Sequence, residues 1–338
     1  MKKMMFLAER KRFTRPRGVS TNPYWTAALV GTAGLVASAI INRFLAKKAE
    51  RDNPPTGRFI NVDGVDLHYV ERGVGPAVVL LHGNGSMIQD FGSSGLIDAV
   101  ARDHRVVVFD RPGFGHTNRP RNAVKWGPNE QADLIKIALE RLGIQNAIIV
   151  GHSWGASVAV AMGLRHPASV HALVLVSGYY YPSFRPDFAA MSAPAVPVIG
   201  NLMSVTVSPI VSRLIWPALV AKLFGPAAVP AKFRRFPKEM AVRPSQIHAA
   251  AEESGLLVLN AARSQAHYKE LSMPVTIIAG QNDRLIDPIS QSGRLHDDVA
   301  QSRFHPIPET GHMVHQTATQ SVVDAIGEVS TPASAVDK

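Results

Sequence analysis

Short apolar runs separated by turn residues recur along the chain from residue 58 onwards. In five of them the apolarity is continuous rather than alternating, which is the pattern of strands buried on both faces of a parallel sheet. The first two runs flank Asp63-Gly64, a strong signal for a hairpin turn. Helical stretches at 131–142 and 154–165 lie between such runs. We therefore predict an α/β fold with strands at 58–62, 65–71, 77–81, 105–109, 147–150, 172–176 and 275–279.

The alternation of strands and helices lapses between residues 180 and 272. A structureless loop of that length is improbable in a compact domain, so a helical insertion that covers the strand ends is expected. We predict core segments at 58–179 and 273–329, this cap at 180–272, and a flexible tail at 330–338.

A cluster of basic residues within the predicted cap forms either a solvated face or a contact for anionic lipid or substrate. The cluster consists of Lys232, Arg234, Arg235, Lys238 and Arg243.

The N-terminal region has a different pattern. Residues 18–42 carry no charge, and 24–41 are almost wholly apolar. A helix of about 18–25 residues spans roughly 27–37 Å, enough to cross a bilayer core of about 30 Å. Tyr24 and Trp25 stand where an interfacial aromatic belt would begin. We predict a transmembrane anchor at 24–42. The alternatives are a signal peptide cleaved after the small residues at 37–39, and a surface-bound or packed helix.

The charge distribution supports this division of the chain. Of the net charge of +10, residues 1–51 carry +9 and residues 52–338 carry +1. The globular body is nearly neutral, which argues against a nucleic-acid partner. Residues 1–51 thus form a basic leader plus anchor, and residues 52–57, with two prolines and a glycine, form a linker. Seven cations before the apolar stretch and four after it favour a single-pass topology with a cytoplasmic N-terminus, and leave the side of the catalytic body open.

The composition limits the chemistry. Hydrophobic residues make up 46% of the chain, as in a globular protein, and there is no cysteine. Disulfides, thiolate catalysis and zinc–cysteine sites are therefore excluded. Oligomeric state cannot be deduced from these features.

The strongest catalytic motif is Gly151-His152-Ser153-Trp154-Gly155. It follows an apolar strand run and precedes a helical stretch, which is the context that a nucleophile elbow requires. Glycines at both ends allow the crossing strand and helix to approach, while the serine hydroxyl stands clear near a helix N-terminus. Ser153 is therefore the predicted nucleophile.

A serine hydroxyl needs a base to accept its proton and an acid to orient that base. His312 follows the last apolar run, at 304–307, in a loop that could return to the sheet edge; His315 is its rival. Asp283 follows the strand run at 275–279, and Asp287 is the alternative acid. The chain order Ser…Asp…His is that of α/β-hydrolases and differs from that of chymotrypsin or subtilisin.

A fourth motif supplies the predicted oxyanion hole. His82-Gly83-Asn84 follows the strand run at 77–81. The backbone N–H groups of Asn84 and Trp154 would bind the developing negative charge, and Gly83 would allow close approach to the reacting centre. His82 and His152 belong to these loops and are expected to shape them.

Together these motifs resemble those of a capped α/β-hydrolase over about residues 58–329. The matching elements, in family order, are the HGNG loop, the DRPGFGHT turn, the GHSWG elbow, the GQND acid loop and the TGHMV histidine loop. The resemblance implies a mostly parallel eight-stranded sheet with helices on both faces and a helical cap. The HGN loop and the Trp after the nucleophile are similar to those of epoxide hydrolases and haloalkane dehalogenases. Those enzymes use aspartate at the position of Ser153, and serine cannot form their alkyl-ester intermediate, so both activities are set aside.

The predicted function is that of a cofactor-free, metal-free serine hydrolase acting through an acyl-enzyme on Ser153. The apolar cap suggests a small or medium hydrophobic ester, thioester or lactone as the substrate. Two alternatives stay open. One is a carbon–carbon bond hydrolase of diketones, or a perhydrolase or haloperoxidase, with the same triad. The other is a non-catalytic, membrane-tethered binding protein.

Overall fold

The computed structural model describes residues 22–120 and 126–330. The basic leader up to Arg17 and the tail from residue 331 lie outside the described residues. Eight strands form one sheet in the order β1-β2-β4-β3-β5-β6-β7-β8. The strands are β1 (Arg58–Val62), β2 (Val65–Arg72), β3 (Ala77–Leu81), β4 (Arg105–Phe109), β5 (Ala147–His152), β6 (Val170–Val176), β7 (Val275–Gly280) and β8 (Ser302–Ile307).

Thirteen α-helices occur among the described residues, joined by a few short 3-10 and π turns. They are α1 (Pro23–Asp52), α2 (Ile88–Ser94), α3 (Leu96–Val100), α4 (Pro128–Arg141), α5 (Trp154–Arg165), α6 (Pro186–Met191), α7 (Ile199–Val205), α8 (Ser208–Phe224), α9 (Lys238–Ala241), α10 (Pro244–Ser264), α11 (Arg294–Asp298), α12 (Val314–Thr317) and α13 (Thr319–Ser330). The predicted α/β fold with a mostly parallel eight-stranded sheet is confirmed.

The first two strands form the predicted hairpin. Asp63 and Gly64 both adopt positive φ, 50° and 83°, as a two-residue turn with the twist of the flanking strands requires. Strand β2 then pairs antiparallel with β4, while every later pair is parallel. The carboxyl ends of β3, β5, β6, β7 and β8 therefore meet at one edge of the sheet.

The central strands are apolar on both faces because both faces are covered. In β3, Val79 and Leu81 pack into a cluster with α4 and α5, whereas Val78 and Leu80 pack into a second cluster with α2, α3 and α13. Each such fully buried side chain contributes about 1.5–3 kcal/mol of transfer free energy. This two-sided packing explains why the strand runs are continuous, and it holds the strand ends rigidly in place.

The segment between β6 and β7 contains the helices α6 to α10, short 3-10 turns and irregular stretches, and no strand lies among these described residues. Its predicted boundaries at 180 and 272 stay predictions. Part of the basic cluster ties the cap to the rest of the protein rather than forming a solvated face. Lys232 donates to the Ser94 carbonyl at 2.8 Å and to Thr319 Oγ1 at 2.9 Å, and the buried Arg243 donates to Glu50 at 2.6 Å.

Helix α1 extends ten residues beyond the predicted apolar segment, to Asp52. By length and composition it can cross a membrane, and its apolar stretch is not buried by the rest of the protein. Its C-terminal part contacts the cap, where Asn42 and Ala49 are buried. The expectation of an N-terminal apolar helix is confirmed, and membrane insertion stays a prediction.

Candidate active site

Ser153 lies on a strained turn between β5 and α5. Its φ is +53°, a conformation that L-residues rarely adopt, and its N–H donates to the Val176 carbonyl at 2.8 Å. A Cβ on Gly151 would lie 2.3 Å from the Gly155 carbonyl oxygen, and a Cβ on Gly155 would lie 2.1 Å from the Leu81 carbonyl oxygen. Both flanking glycines are therefore required by backbone contact, which is the packing that the motif predicted.

His312 and Asp283 form a hydrogen-bonded pair at the same edge of the sheet. His312 Nδ1 lies 2.7 Å from Asp283 Oδ2, and the two side chains are only 3% and 1% exposed. The other carboxylate oxygen of Asp283 accepts the N–H groups of Leu285 and Ile286 at 2.8 and 3.0 Å. Because a carboxylate accepts only, Nδ1 carries the proton and Nε2 is left to accept the proton of a nucleophile.

The two alternative residues occupy other environments. His315 lies on α12 with its Nε2 3.0 Å from Asp90 Oδ1, so it already faces a carboxylate of its own. Asp287 is exposed and accepts both the N–H and the hydroxyl of Ser290 at 2.7 and 2.6 Å. The observed pairing therefore favours His312 and Asp283.

The predicted oxyanion donors lie beside the elbow. A Cβ on Gly83 would lie 3.1 Å from Ser153 Cβ, so this loop and the nucleophile are in contact. Within the described part of the chain, the N–H groups of Asn84 and Trp154 have no acceptor. Asn84 Nδ2 donates to the Ala250 carbonyl at 3.0 Å and to Ser254 Oγ at 3.1 Å, which fastens the loop to cap helix α10.

His82 is hydrogen-bonded at both ring nitrogens beside this loop. Its Nε2 accepts the Arg111 N–H at 3.0 Å, and its Nδ1 donates to the Gly83 carbonyl at 2.8 Å. Burial and the neighbouring Arg111 charge lower the pKa of His82 to about 3, so the ring is neutral at physiological pH. It acts as a fixed spacer and not as a base.

A buried arginine below the oxyanion loop was missed by sequence reasoning. The Arg111 guanidinium donates to the His82 and Gly83 carbonyls at 2.8 and 2.9 Å and pairs with the buried Glu253 of α10. Gln131 bonds to both members of the pair at 2.9 and 3.0 Å. The sequence placed Arg111 in the DRPGFGHT turn without predicting its buried partner. The available signal was a cation two residues after the end of the buried strand β4.

A second buried cluster lies behind His312. His152 Nε2 donates to the His312 carbonyl at 3.1 Å, and the His152 ring centroid lies 4.3 Å from that of His315. Burial is the main reason why the pKa of His152 is well below 6.5. Burial opposes ionisation of Asp90, but His315 and the hydrogen bond from Gln316 hold the pKa of Asp90 below its ordinary value.

This cluster is also where the described residues come nearest to a metal-binding set. The ligand atoms of Asp90, His152 and His315 lie within 4.8 Å of one another. Asp90 is already occupied, because it accepts the Ser86 hydroxyl and the Gln316 amide, both at 2.8 Å. We therefore describe the cluster as a hydrogen-bonded support for the His312 loop.

Neither of two cavities in the described part of the chain is lined by Ser153. One, of about 330 Å³, adjoins Asp283 and is lined by the cations Arg284 and Lys222 together with the carboxylates of Asp187 and Asp287. A hydrogen bond from Arg185 is the main cause that lowers the pKa of Asp187, and the Lys222 charge helps to lower it. The other, of about 1100 Å³, lies between α1, the cap and the loop around residues 113–120.

Two curated relatives match most of this chain. It is 25% identical over 299 residues to a 2-hydroxymuconate semialdehyde hydrolase from Pseudomonas sp. (strain CF600), covering 85% of this chain and 98% of the relative. It is also 25% identical over 263 residues to a 2-hydroxy-6-oxo-2,4-heptadienoate hydrolase from Pseudomonas putida, covering 78% and 91%. These similarities overturn the prediction of an ester, thioester or lactone substrate, which is wrong, and favour the carbon–carbon hydrolase alternative.

The comparisons also settle the family. A hydrolase of solved structure from Pseudomonas aeruginosa PA01 superposes with a TM-score of 0.68 at 18% identity, over 83% of this chain and all of the other, a likeness of fold. The model of the family described as alpha/beta hydrolase fold matches residues 76–319. That range contains the elbow, the acid loop and the histidine loop. This chain belongs to the α/β-hydrolase family, and it is a hydrolase.

Proposed function

We propose that this protein hydrolyses a carbon–carbon bond in a small 2-hydroxy-6-oxo-dienoate, with Ser153 as nucleophile, His312 as base and Asp283 as orienting acid. The observation that carries the proposal is the similarity along nearly the whole length of relatives named for such substrates. The 2.7 Å contact between His312 and Asp283 supplies the base that a serine mechanism needs.

The reaction places a specific demand on the substrate. Breaking a carbon–carbon bond expels a carbanion, which forms readily only if its electron pair is delocalised. In the 2-keto tautomer of such a dienoate, carbon 5 is protonated, and attack at the carbon 6 carbonyl expels carbon 5 as a dienolate whose charge reaches the oxygen on carbon 2. The net reaction consumes one water and yields a carboxylic acid and a 2-hydroxydienoate.

The chain's residues divide this work between them. His312 takes the Ser153 proton as the hydroxyl attacks carbon 6, and the N–H groups of Asn84 and Trp154 receive the carbonyl oxygen as it becomes negative. Each such donor is worth about 2.7–4 kcal/mol in the transition state. His312 passes that proton to the departing dienolate, which becomes the 2-hydroxydienoate. The neutral ring can then activate the water that releases the acyl group from Ser153.

The substrate's carboxylate also needs a cationic neighbour. Arg284 and Lys222 line the cavity beside Asp283 and are its candidates for this contact, although Asp187 and Asp287 line the cavity as well. We assign the carboxylate to this side of the site. Lys222→Met is expected to raise KM several-fold with little change in kcat, since the contact is the same in the ground and transition states.

The test is turnover of 2-hydroxy-6-oxo-2,4-heptadienoate, followed through the loss of its dienolate absorbance, beside p-nitrophenyl butyrate. We expect the dienoate to be turned over with the higher kcat/KM, and both activities to vanish in Ser153→Ala. Turnover of the ester with none of the dienoate would overturn the assignment. Dienoate turnover that survives Ser153→Ala would remove the serine mechanism.

We also propose that α1 anchors the enzyme in a membrane as a single span with a cytoplasmic N-terminus. Its apolar side chains from Tyr24 to Phe44 are largely exposed, and no described element covers its first half. Extraction of membranes with alkaline carbonate is expected to leave the full-length protein in the pellet. Its release into the supernatant would contradict the anchor and leave the catalytic proposal untouched.

A further inference from the structure

An exposed apolar surface of the cap lies directly beside α1. Helices α7 and α8 meet at a bend of 64° around Thr206. We call residues 198–215 the cap elbow. Its large apolar side chains that stand in solvent are Val198, Ile199, Leu202, Val205, Val207, Ile210, Val211, Leu214 and Ile215. A contiguous patch of this kind on a protein surface usually marks a binding site.

The cap elbow is hydrogen-bonded to two side chains of α1, and their positions along the helix fix where the two meet. Ser38 Oγ donates to the Thr206 carbonyl at 2.8 Å, and Asn42 Nδ2 donates to the carbonyls of Thr206 and Val205 at 2.8 and 3.1 Å. Ser38 lies inside the apolar stretch of α1, and Asn42 directly follows it. At about 1.5 Å per residue, the elbow meets α1 roughly 21–27 Å from Tyr24.

That height coincides with the edge of a bilayer. If the hydrocarbon core, about 30 Å thick, begins near Tyr24, it ends close to Phe44. The elbow therefore touches the span within the outer part of the apolar layer. On other faces of α1 at this level, Ile40, Ile41 and Phe44 are 57–65% exposed.

The charges around the elbow fit the same arrangement. Residues 188–221 contain a single charged side chain, Arg213. It points into the protein, where it donates to Glu239 at 2.9 Å and to Asn42 Oδ1 at 3.1 Å. The cations of α1 begin at Arg43, just beyond the apolar stretch, as they would beside anionic headgroups.

We propose that the cap elbow is immersed in the bilayer beside α1, so that the cap rests on the acyl-chain boundary of a membrane containing anionic lipid. The proposal depends on the anchor proposed above and goes beyond it, because a single span needs no second contact with lipid. Half-exposed apolar side chains on a bent helix pair are what interfacial segments insert to about 5–10 Å. A second copy of the chain is the competing occupant.

The absence of cysteine makes the test direct. Single substitutions Leu202→Cys, Ile210→Cys and Leu214→Cys, each labelled with an environment-sensitive NBD dye, place reporters on both arms of the elbow. Leu29→Cys reports on the span. Val74→Cys, 82% exposed in the turn between β2 and β3, is the matched aqueous control. The full-length protein is reconstituted in vesicles of phosphatidylcholine with some phosphatidylglycerol.

We expect the elbow dyes and the Leu29 dye to emit at shorter wavelength than the Val74 dye, and to be quenched by lipids with a nitroxide on the acyl chain. A quenched Leu29 dye with unquenched elbow dyes would overturn the elbow proposal and leave the anchor standing. An unquenched Leu29 dye would remove the anchor and the elbow proposal together. Elbow dyes that resist lipid quenching but self-quench as protein density rises would assign the surface to a second copy.

Discussion

The carboxyl edge of the sheet and the cap elbow differ in which side chains they bury and which they expose. At the sheet edge, the charged groups Asp90, Arg111 and Glu253 are buried, and each lies against a partner of opposite or hydrogen-bonding character. At the elbow, apolar groups such as Leu214 stand exposed. A buried charge is tolerable only with its partner in place, whereas an exposed apolar side chain costs folding little. Substitutions should therefore change activity or stability strongly at the sheet edge and weakly at the cap elbow.

The largest effect is expected at the nucleophile. Ser153→Ala should lower kcat by about 10⁵-fold, because the remaining groups cannot supply an attacking oxygen. Ser157, one turn along α5, is half-buried and donates to the Tyr179 carbonyl at 3.2 Å, so Ser157→Ala is the matched control. Steady-state kinetics with the dienoate measure both. Equal losses in the two variants would show that helix packing, and not the hydroxyl, is responsible.

The second-largest effect on kcat is expected at Asp283, the proposed orienting acid. Asp283→Asn should lower kcat by about 10⁴-fold, since an amide can donate to Nδ1 and favour the wrong tautomer of His312. Asp287→Asn, four residues along the same loop, removes an exposed carboxylate that is bonded to Ser290 and lines the cavity beside Asp283. Its kcat should stay within about twofold of the parent, and only KM should respond. A large loss in Asp287→Asn alone would exchange the roles of the two acids.

The buried ion pair tests the link between cap and oxyanion loop. Glu253→Gln leaves the Arg111 charge unpaired in the interior and should lower the free energy of unfolding by about 3–5 kcal/mol. The neighbouring Glu252 is 35% exposed and pairs with Arg119, so Glu252→Gln should cost less than Glu253→Gln. Urea denaturation gives both values. Equal costs would mean that burial at 253 does not matter.

Lowering the pH should reduce the free energy of unfolding through protonation of Asp90. Its pKa is lower in the folded chain than the ordinary 3.8, so its contribution to stability is complete at neutral pH and declines as pH falls below the unfolded value. Between pH 7 and pH 3 the parent should lose about 1 kcal/mol more than Asp90→Asn. If the free energy of unfolding fell equally with pH in the parent and in Asp90→Asn, the lowered pKa of Asp90 would be contradicted.

The smallest effect on stability is expected at the cap elbow. In detergent micelles, Leu214→Ser should change the free energy of unfolding by less than about 0.5 kcal/mol, because the side chain is 76% exposed. Leu80→Ala in β3, fully buried, should cost about 2–5 kcal/mol in the same assay. A cost at Leu214 near that of Leu80 would show that the elbow packs against protein.

The strands were predictable because their signal is local. The runs at 77–81 and 105–109 are the observed β3 and β4 without adjustment, and the paired positive φ values at Asp63 and Gly64 follow from the two-residue hairpin. Helix α1 was predicted as a span of 24–42 but extends to Asp52, because contacts with the cap, including the buried Ala49, continue it. The substrate was predicted wrongly, since an apolar cap composition is compatible with esters and with diketones alike.

The sequence by itself determined the α/β order of elements, the turn around Ser153 and the chain order of the predicted nucleophile, acid and base. Each of these depends on residue types within a few positions of one another. Only the tertiary structure decided which carboxylate meets His312, that Glu253 neutralises Arg111 from 142 residues away, and that Thr206 lies against Ser38. Such pairings depend on how distant segments pack, and the local hydrophobic pattern does not encode which distant partner each side chain will meet.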